Sequence, residues 1–93
     1  MTHHHPGKRP PTVLIFAGND PSGGAGICAD IEAITHFGCH PLPIITAITV
    51  QDTNNVERLE PTSAELVMQQ AETILNDIKV DAIKIGLIGS VEN

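Results

Sequence analysis

The sequence predicts an α/β fold built on a parallel sheet with flanking helices. Apolar, β-branched stretches alternate with helix-patterned ones in the order strand, helix, strand, helix, strand, an order that gives right-handed crossovers and parallel pairing. The strand candidates are continuous apolar runs, as expected where both faces of a sheet are covered. A third observation places a site in that fold. The first strand runs into Gly18-Asn19-Asp20-Pro21-Ser22-Gly23-Gly24-Ala25-Gly26, where missing Cβ atoms and a helix start let backbone approach a ligand.

Residues 1–11 read as a flexible lead-in, and His3, His4 and His5 on it lack the fixed geometry of a metal site. Residues 13–17 form the first strand. A helix follows from about 24 to 37, with Ser22 as N-cap and Gly38 just past the last turn. Ile27, Ile31 and Ile34 give it one apolar stripe. Asp30 lies on the flank of that stripe, about 60° from Ile27. A carboxylate there is either compensated by the helix dipole or aimed at a ligand. The ligand reading is favoured, because Asp is rarely buried without a partner.

Residues 38–43 read as a turn and 44–50 as the second strand, which stops at Gln51-Asp52-Thr53-Asn54-Asn55. Ligands in open α/β sheets sit outside the carboxyl ends of strands, which points to this cluster; it can equally be plain loop punctuation. Residues 56–60 suit a short edge strand. Thr62 and Glu65 form a capping box for a helix running to about 77, with Val67, Ala71, Ile74, Leu75 and Ile78 as its buried stripe. A third strand, Ala82–Ile85, leads to Gly86 and to Ser90, which looks like the cap of another helix. Two helices on three strands leave a face poorly covered. The chain therefore reads as the first part of a larger α/β domain that does not fold stably alone.

Composition narrows the partners. A net charge of −6 argues against a phosphate-backbone binder, and Phe16 and Phe37 are the only aromatic residues, too few for a base-stacking surface. No nucleic acid partner is expected. No apolar run approaches the roughly 20 residues of a membrane span, and residues 1–11 have no apolar core for a signal peptide. Cys28 and Cys39 read as ordinary side chains in a reducing compartment, which makes the cytoplasm the default.

Several chemistries use a glycine turn. A P-loop needs Lys-Ser or Lys-Thr beside its last glycine, and no lysine occurs between Arg9 and Lys79. A dinucleotide fingerprint is formally matched by Gly24-Ala25-Gly26-Ile27-Cys28-Ala29, with Asp52 as the ribose-binding acid. Its first glycine is displaced from the strand end, however. The third reading is a resemblance. Residues 17–30, from Ala17-Gly18-Asn19-Asp20 to Cys28-Ala29-Asp30, resemble the signature of bacterial hydroxymethylpyrimidine/phosphomethylpyrimidine kinases, thiamine-biosynthesis enzymes of the ribokinase-like fold. Residues 45–53 (ITAITVQDT) and 81–90 (DAIKIGLIGS) match two further blocks in order and spacing.

The resemblance implies a ribokinase-like domain whose N-terminal part is residues 12–93. It implies ATP-dependent phosphorylation of an aminopyrimidine, with ATP and Mg2+ held by parts of the enzyme outside this chain. Gln51 matches the position that reads the pyrimidine, its carboxamide complementary to a ring nitrogen and the neighbouring amino group. Gly18, Ala25 and Asp30 match residues lining the pocket, and Leu87 stands where the family often has methionine against the ring. The family's catalytic cysteine loop has no counterpart here, so the isolated chain is expected to lack kinase activity. A related acceptor such as pyridoxal stays open, as does a homodimer of the full-length form. A non-catalytic binding module is the alternative of a different class.

Overall fold

The computed structural model describes residues 9–86. The elements run β1 (Thr12–Asn19), α1 (Gly26–His36), β2 (His40–Gln51), β3 (Val56–Pro61), α2 (Ala64–Asp77) and β4 (Ala82–Ile85). The sheet order is β3-β2-β1-β4. β1 pairs in parallel with β2 and β4, while β3 runs antiparallel along β2. The expected parallel sheet is present with one antiparallel edge strand added, where a short edge strand was read.

β1 explains its own sequence. Ile15 and Ala17 pack with Ile27 of α1, and Val13, Ile31 and Ile34 close around them. Leu14 packs on the other face with Leu42, Ile44 and Val67 of α2, and Phe16 and Ile74 border that cluster. Successive strand residues point to opposite faces, so the two helices cover opposite sides and the run must be apolar at every position.

β2 begins four residues earlier than the sequence suggested, because Pro41 and Pro43 looked like turn residues. The structure shows why a strand tolerates them. His40 N–H donates to Pro11 O at 2.7 Å, so residues 40, 42 and 44 aim their donors at β1. The odd residues face the other edge, and β3 pairs only with Ala47 to Gln51. Two prolines without N–H groups therefore break no ladder bond.

Both helix starts differ from expectation. α1 is capped at Ala25 with no side-chain bond, and Ser22 is engaged elsewhere. α2 is capped by Ser63, whose Oγ accepts from Leu66 N–H at 3.2 Å. Thr62 instead donates its backbone N–H to Thr46 O at 2.9 Å, tying the chain to the sheet. Leu75, expected in the buried stripe, is 51% exposed, so Val67 and Ile74 hold that interface. Ile83 and Ile85 of β4 are also exposed, consistent with the expected poorly covered face. Among the described residues no helix is long and apolar enough to cross a membrane. Cys28 and Cys39 are free thiols.

One carboxylate fastens the base of the sheet. Asp81 Oδ2 accepts from Thr12 N–H at 2.8 Å, and both of its oxygens take the Arg9 guanidinium, at 2.9 and 3.1 Å. The Arg9 hydrogen bond, then that of Thr12 N–H, holds the Asp81 carboxyl at about 2. Its folded value lies below the unfolded one of about 3.9. The stabilisation is therefore complete above about pH 4 and is lost as pH falls towards 2. Asp81→Asn is expected to flatten the fall in urea midpoint between about pH 5 and 2. An unchanged acid profile in that variant would remove Asp81 from the account.

Candidate functional site

The glycine turn is shaped by one side chain. Asp20 is 6% exposed. Its Oδ1 accepts from Ser22 N–H at 2.8 Å and from Ser22 Oγ–H at 2.7 Å, and its Oδ2 accepts from Ala25 N–H at 3.0 Å. Asp20 O also accepts from Gly23 N–H at 3.0 Å. The Ser22 hydroxyl, then the Ser22 N–H, hold the Asp20 carboxyl below the usual carboxylate range, outweighing the desolvation that raises it. Ser22 belongs to the turn and not to the start of α1: its Oγ–H donates to Asp20 and its Oγ accepts from Gly24 N–H at 3.4 Å, two residues ahead of the helix.

Gly26 closes the turn. Its φ is +68°, and a Cβ there would stand 2.4 Å from Gly18 O and 3.3 Å from Asp20 N. The backbone at Asn19 and Gly26 meets in an isolated antiparallel bridge. Thr49 Oγ–H donates to Asn19 O at 2.8 Å, tying the end of β1 to β2. A register shift between Ala17 and Gly18 falls at the same level, so the two strands change spacing where the site begins.

These features enclose a cleft of about 170 Å³ lined by Gly18, Asn19, Asp20, Ala25, Gly26, Thr49 and Gln51. Gly18, Ala25 and Gln51, named from the sequence as pocket residues, stand together on it. Asp30 does not line it; its Oδ1 is ion-paired with Lys84 of β4. Leu87 and Ser90 lie outside the described residues. Sequence reasoning missed Asn19, Asp20, Gly26 and Thr49. Asn19, Asp20 and Gly26 belong to the motif already quoted, and the Asp-x-Ser spacing is the signal that could have exposed an Asx-type turn. Thr49 carried no such signal.

Asp52, the candidate ribose acid, is spent on its own loop, accepting from the N–H groups of Asn54 and Asn55, each at 2.8 Å. Those two bonds, Asn55 first, hold its carboxyl below the ordinary range. The structure thus gives Asp52 the loop-forming role. Among the described residues no group of three or more His, Cys, Asp or Glu side chains is placed to hold a metal ion. The glycine turn itself carries no lysine to reach a triphosphate.

Comparison with known proteins agrees with the geometry. Residues 20–93 match the family model for phosphomethylpyrimidine kinase. The chain is 38% identical over 92 residues to the hydroxymethylpyrimidine/phosphomethylpyrimidine kinase of Streptomyces coelicolor, covering 99% of this chain and 34% of that one. The crystal structure of phosphomethylpyrimidine kinase from Clostridium difficile superposes with a TM-score of 0.79 at 39% identity, over 88% of this chain and 35% of that one. Bacillus subtilis pyridoxal kinase, solved as an ADP complex, superposes at 0.81 and 32% identity, over 90% and 33%. The chain spans no more than about a third of the length of the curated relatives it matches. The ribokinase-like assignment of the fold holds. With a match running from Asp20 to the last residue and a relative aligned along nearly the whole sequence, the chain belongs to the phosphomethylpyrimidine kinase family.

Proposed function

We propose that the cleft takes an aminopyrimidine ring alcohol and that residues 12–93 are the N-terminal, acceptor-side part of a kinase domain. The enzyme so formed phosphorylates 4-amino-5-hydroxymethyl-2-methylpyrimidine and then its monophosphate in thiamine biosynthesis, with ATP as donor and Mg2+ as its partner. It works in the cytoplasm, where Cys28 and Cys39 stay reduced. One observation carries the reading. Gln51 ends β2 on the cleft wall, and among the described residues its carboxamide makes no side-chain hydrogen bond. A donor and an acceptor side by side are thus left for a ring nitrogen and its neighbouring amino group. Gly18 and Gly26 keep the facing wall to bare backbone, which suits a flat ring.

These residues bind and orient; the phosphoryl chemistry belongs to parts of the enzyme beyond them. Transfer of this kind rests on positioning and on stabilising the transferring group. The cleft's share is to hold the ring so that its hydroxymethyl oxygen is presented in one direction.

Gln51→Ala is expected to weaken pyrimidine binding by roughly 1–3 kcal/mol, the range for hydrogen bonds left unmade in a partly buried site. Calorimetric titration of the full-length enzyme that contains this chain with the aminopyrimidine measures it. Equal affinity in wild type and variant, or no binding by either, would count against the reading. Pyridoxal is the second acceptor to titrate, because a pyridoxal kinase superposes as closely as a phosphomethylpyrimidine kinase. A clear preference for it would reassign the substrate while keeping the cleft.

A further inference from the structure

Thr49 carries a hydroxyl where the strand alone asks only for a branched side chain. It is buried in β2, at 8% exposure, and valine has the same shape without the polar group. A hydroxyl there needs a partner, and Thr49 finds it across the sheet, donating Oγ–H to Asn19 O at 2.8 Å. The level of that bond is informative. Ala17 stands opposite Ile45 but Gly18 opposite Ala47, so β2 spends an extra residue beside β1. Two ladder pairs follow, Gly18 with Ala47 and Asn19 with Ile48, and there β1 ends. Val50 and Gln51 are paired on one side alone, to β3. Among the described residues β3 is exposed throughout and lies beside no other element. Asn19, Thr49 and Gln51 all line the cleft. The Thr49 hydroxyl thus joins its two walls where the backbone ladder between them stops.

We propose that Thr49 is a positioning residue. Its hydroxyl holds the end of β1 against β2 and so sets the spacing between the Gly18–Asn19 wall and the Gln51 carboxamide. A carboxamide that must meet a ring nitrogen and a neighbouring amino group together tolerates little error in that spacing, because hydrogen bonds weaken steeply as their angle closes. The hydroxyl acts on the ligand through Gln51, its own hydrogen being given to Asn19 O. The proposal rests on the reading of the cleft as a pyrimidine site and adds the device that keeps its walls in register.

The test is steady-state kinetics of the full-length enzyme that contains this chain, with the aminopyrimidine and ATP varied in turn. Wild type, Thr49→Val, Thr49→Ser, Gln51→Ala and the Thr49→Val, Gln51→Ala double variant are compared. Thr49→Val should raise the KM for the aminopyrimidine by roughly three- to tenfold, the scale of one hydrogen bond, and leave the KM for ATP unchanged. Thr49→Ser should recover most of the loss. With the Gln51 carboxamide already removed, Thr49→Val should add less than about twofold, since a residue acting through another then has little to act on. Should Thr49→Val fail to fold, Thr49→Ala set against Thr49→Ser gives the same comparison, because the two differ by the hydroxyl alone. Equal losses with and without Gln51, a matching rise in both KM values, or equal defects in the variants with and without the hydroxyl would each overturn the proposal. Unchanged kinetics in Thr49→Val while Gln51→Ala still raises the aminopyrimidine KM would overturn it too, leaving the cleft reading intact. If wild type does not take the aminopyrimidine, or Gln51→Ala changes nothing, the cleft reading fails and takes the proposal with it.

Discussion

Gly26→Ala is expected to lower stability by roughly 2–4 kcal/mol, the sum of a left-handed backbone conformation forced on an L-residue and a backbone clash. The added methyl would sit 2.4 Å from Gly18 O, and that oxygen belongs to the end of the central strand, which cannot yield without shifting the register beside it. Two neighbouring glycines provide the scale. Gly23 also has a positive φ, +76°, but open space around it; alanine there should cost about 1–2 kcal/mol, the conformational part alone. Gly24 has neither difficulty, its nearest neighbour for a Cβ being Ser22 Oγ at 3.6 Å. Alanine at Gly24 should be close to neutral. Urea denaturation of the three variants orders them as Gly26, Gly23, Gly24. A Gly26→Ala midpoint no lower than that of Gly24→Ala would show that the turn is not closed as described.

Asp20→Ala is expected to abolish measurable binding in the cleft, a loss of at least about tenfold in affinity. The substitution leaves Ser22 N–H, Ser22 Oγ–H and Ala25 N–H without their acceptor, and Ala25 is itself a wall of the cleft. Asp20→Asn separates charge from shape. An amide can turn its oxygen to the two Ser22 donors, but its NH2 then meets the N–H of Ala25, donor against donor. That variant should bind more weakly than wild type and more strongly than Asp20→Ala. The acid limb tests the same bonds. The folded value of Asp20 lies below its unfolded one, so its contribution is complete above about pH 4 and fades as pH drops. Asp20→Asn should lose that part of the pH dependence. Wild-type affinity in Asp20→Ala would mean that the turn keeps its shape without the carboxylate.

The parts legible in the sequence share a physical cause. β1 could be read because helices on both faces select apolar residues one after another. The glycine turn could be read because its backbone needs leave a mark on residue type, as at Gly23 and Gly26, both with positive φ. The misread parts depend on which neighbour lies where. Pro41 and Pro43 look like turn residues until the edge they face is known to be bare. Ser22 looks like a cap until its hydroxyl is seen to lie in the Asp20 turn ahead of the helix, and Thr62 until Ser63 is seen to accept from Leu66 N–H. Leu75 fits the helical period but falls beyond the reach of the sheet. In the site, Gly18, Ala25 and Gln51 were found through motif and strand-end position. The partner of Asp30 is a lysine 54 residues away, a distance over which local pattern carries no information.

The order β3-β2-β1-β4 has a consequence for how the chain comes to be folded. The first strand made is an inner one, and its second neighbour is the last of the described strands. Thr12 and Asp81, which lock that neighbour in place, are 69 residues apart in sequence. As the polypeptide leaves the ribosome, one side of β1 stays unpaired until nearly all the described residues have been synthesised. Contacts of such long separation close late and slow the search for the native state. The glycine turn is made from residues close in sequence, yet the strand on which it is mounted is among the last parts to become rigid. A nascent chain of this family is therefore expected to need protection from self-association just when its binding wall is already encoded.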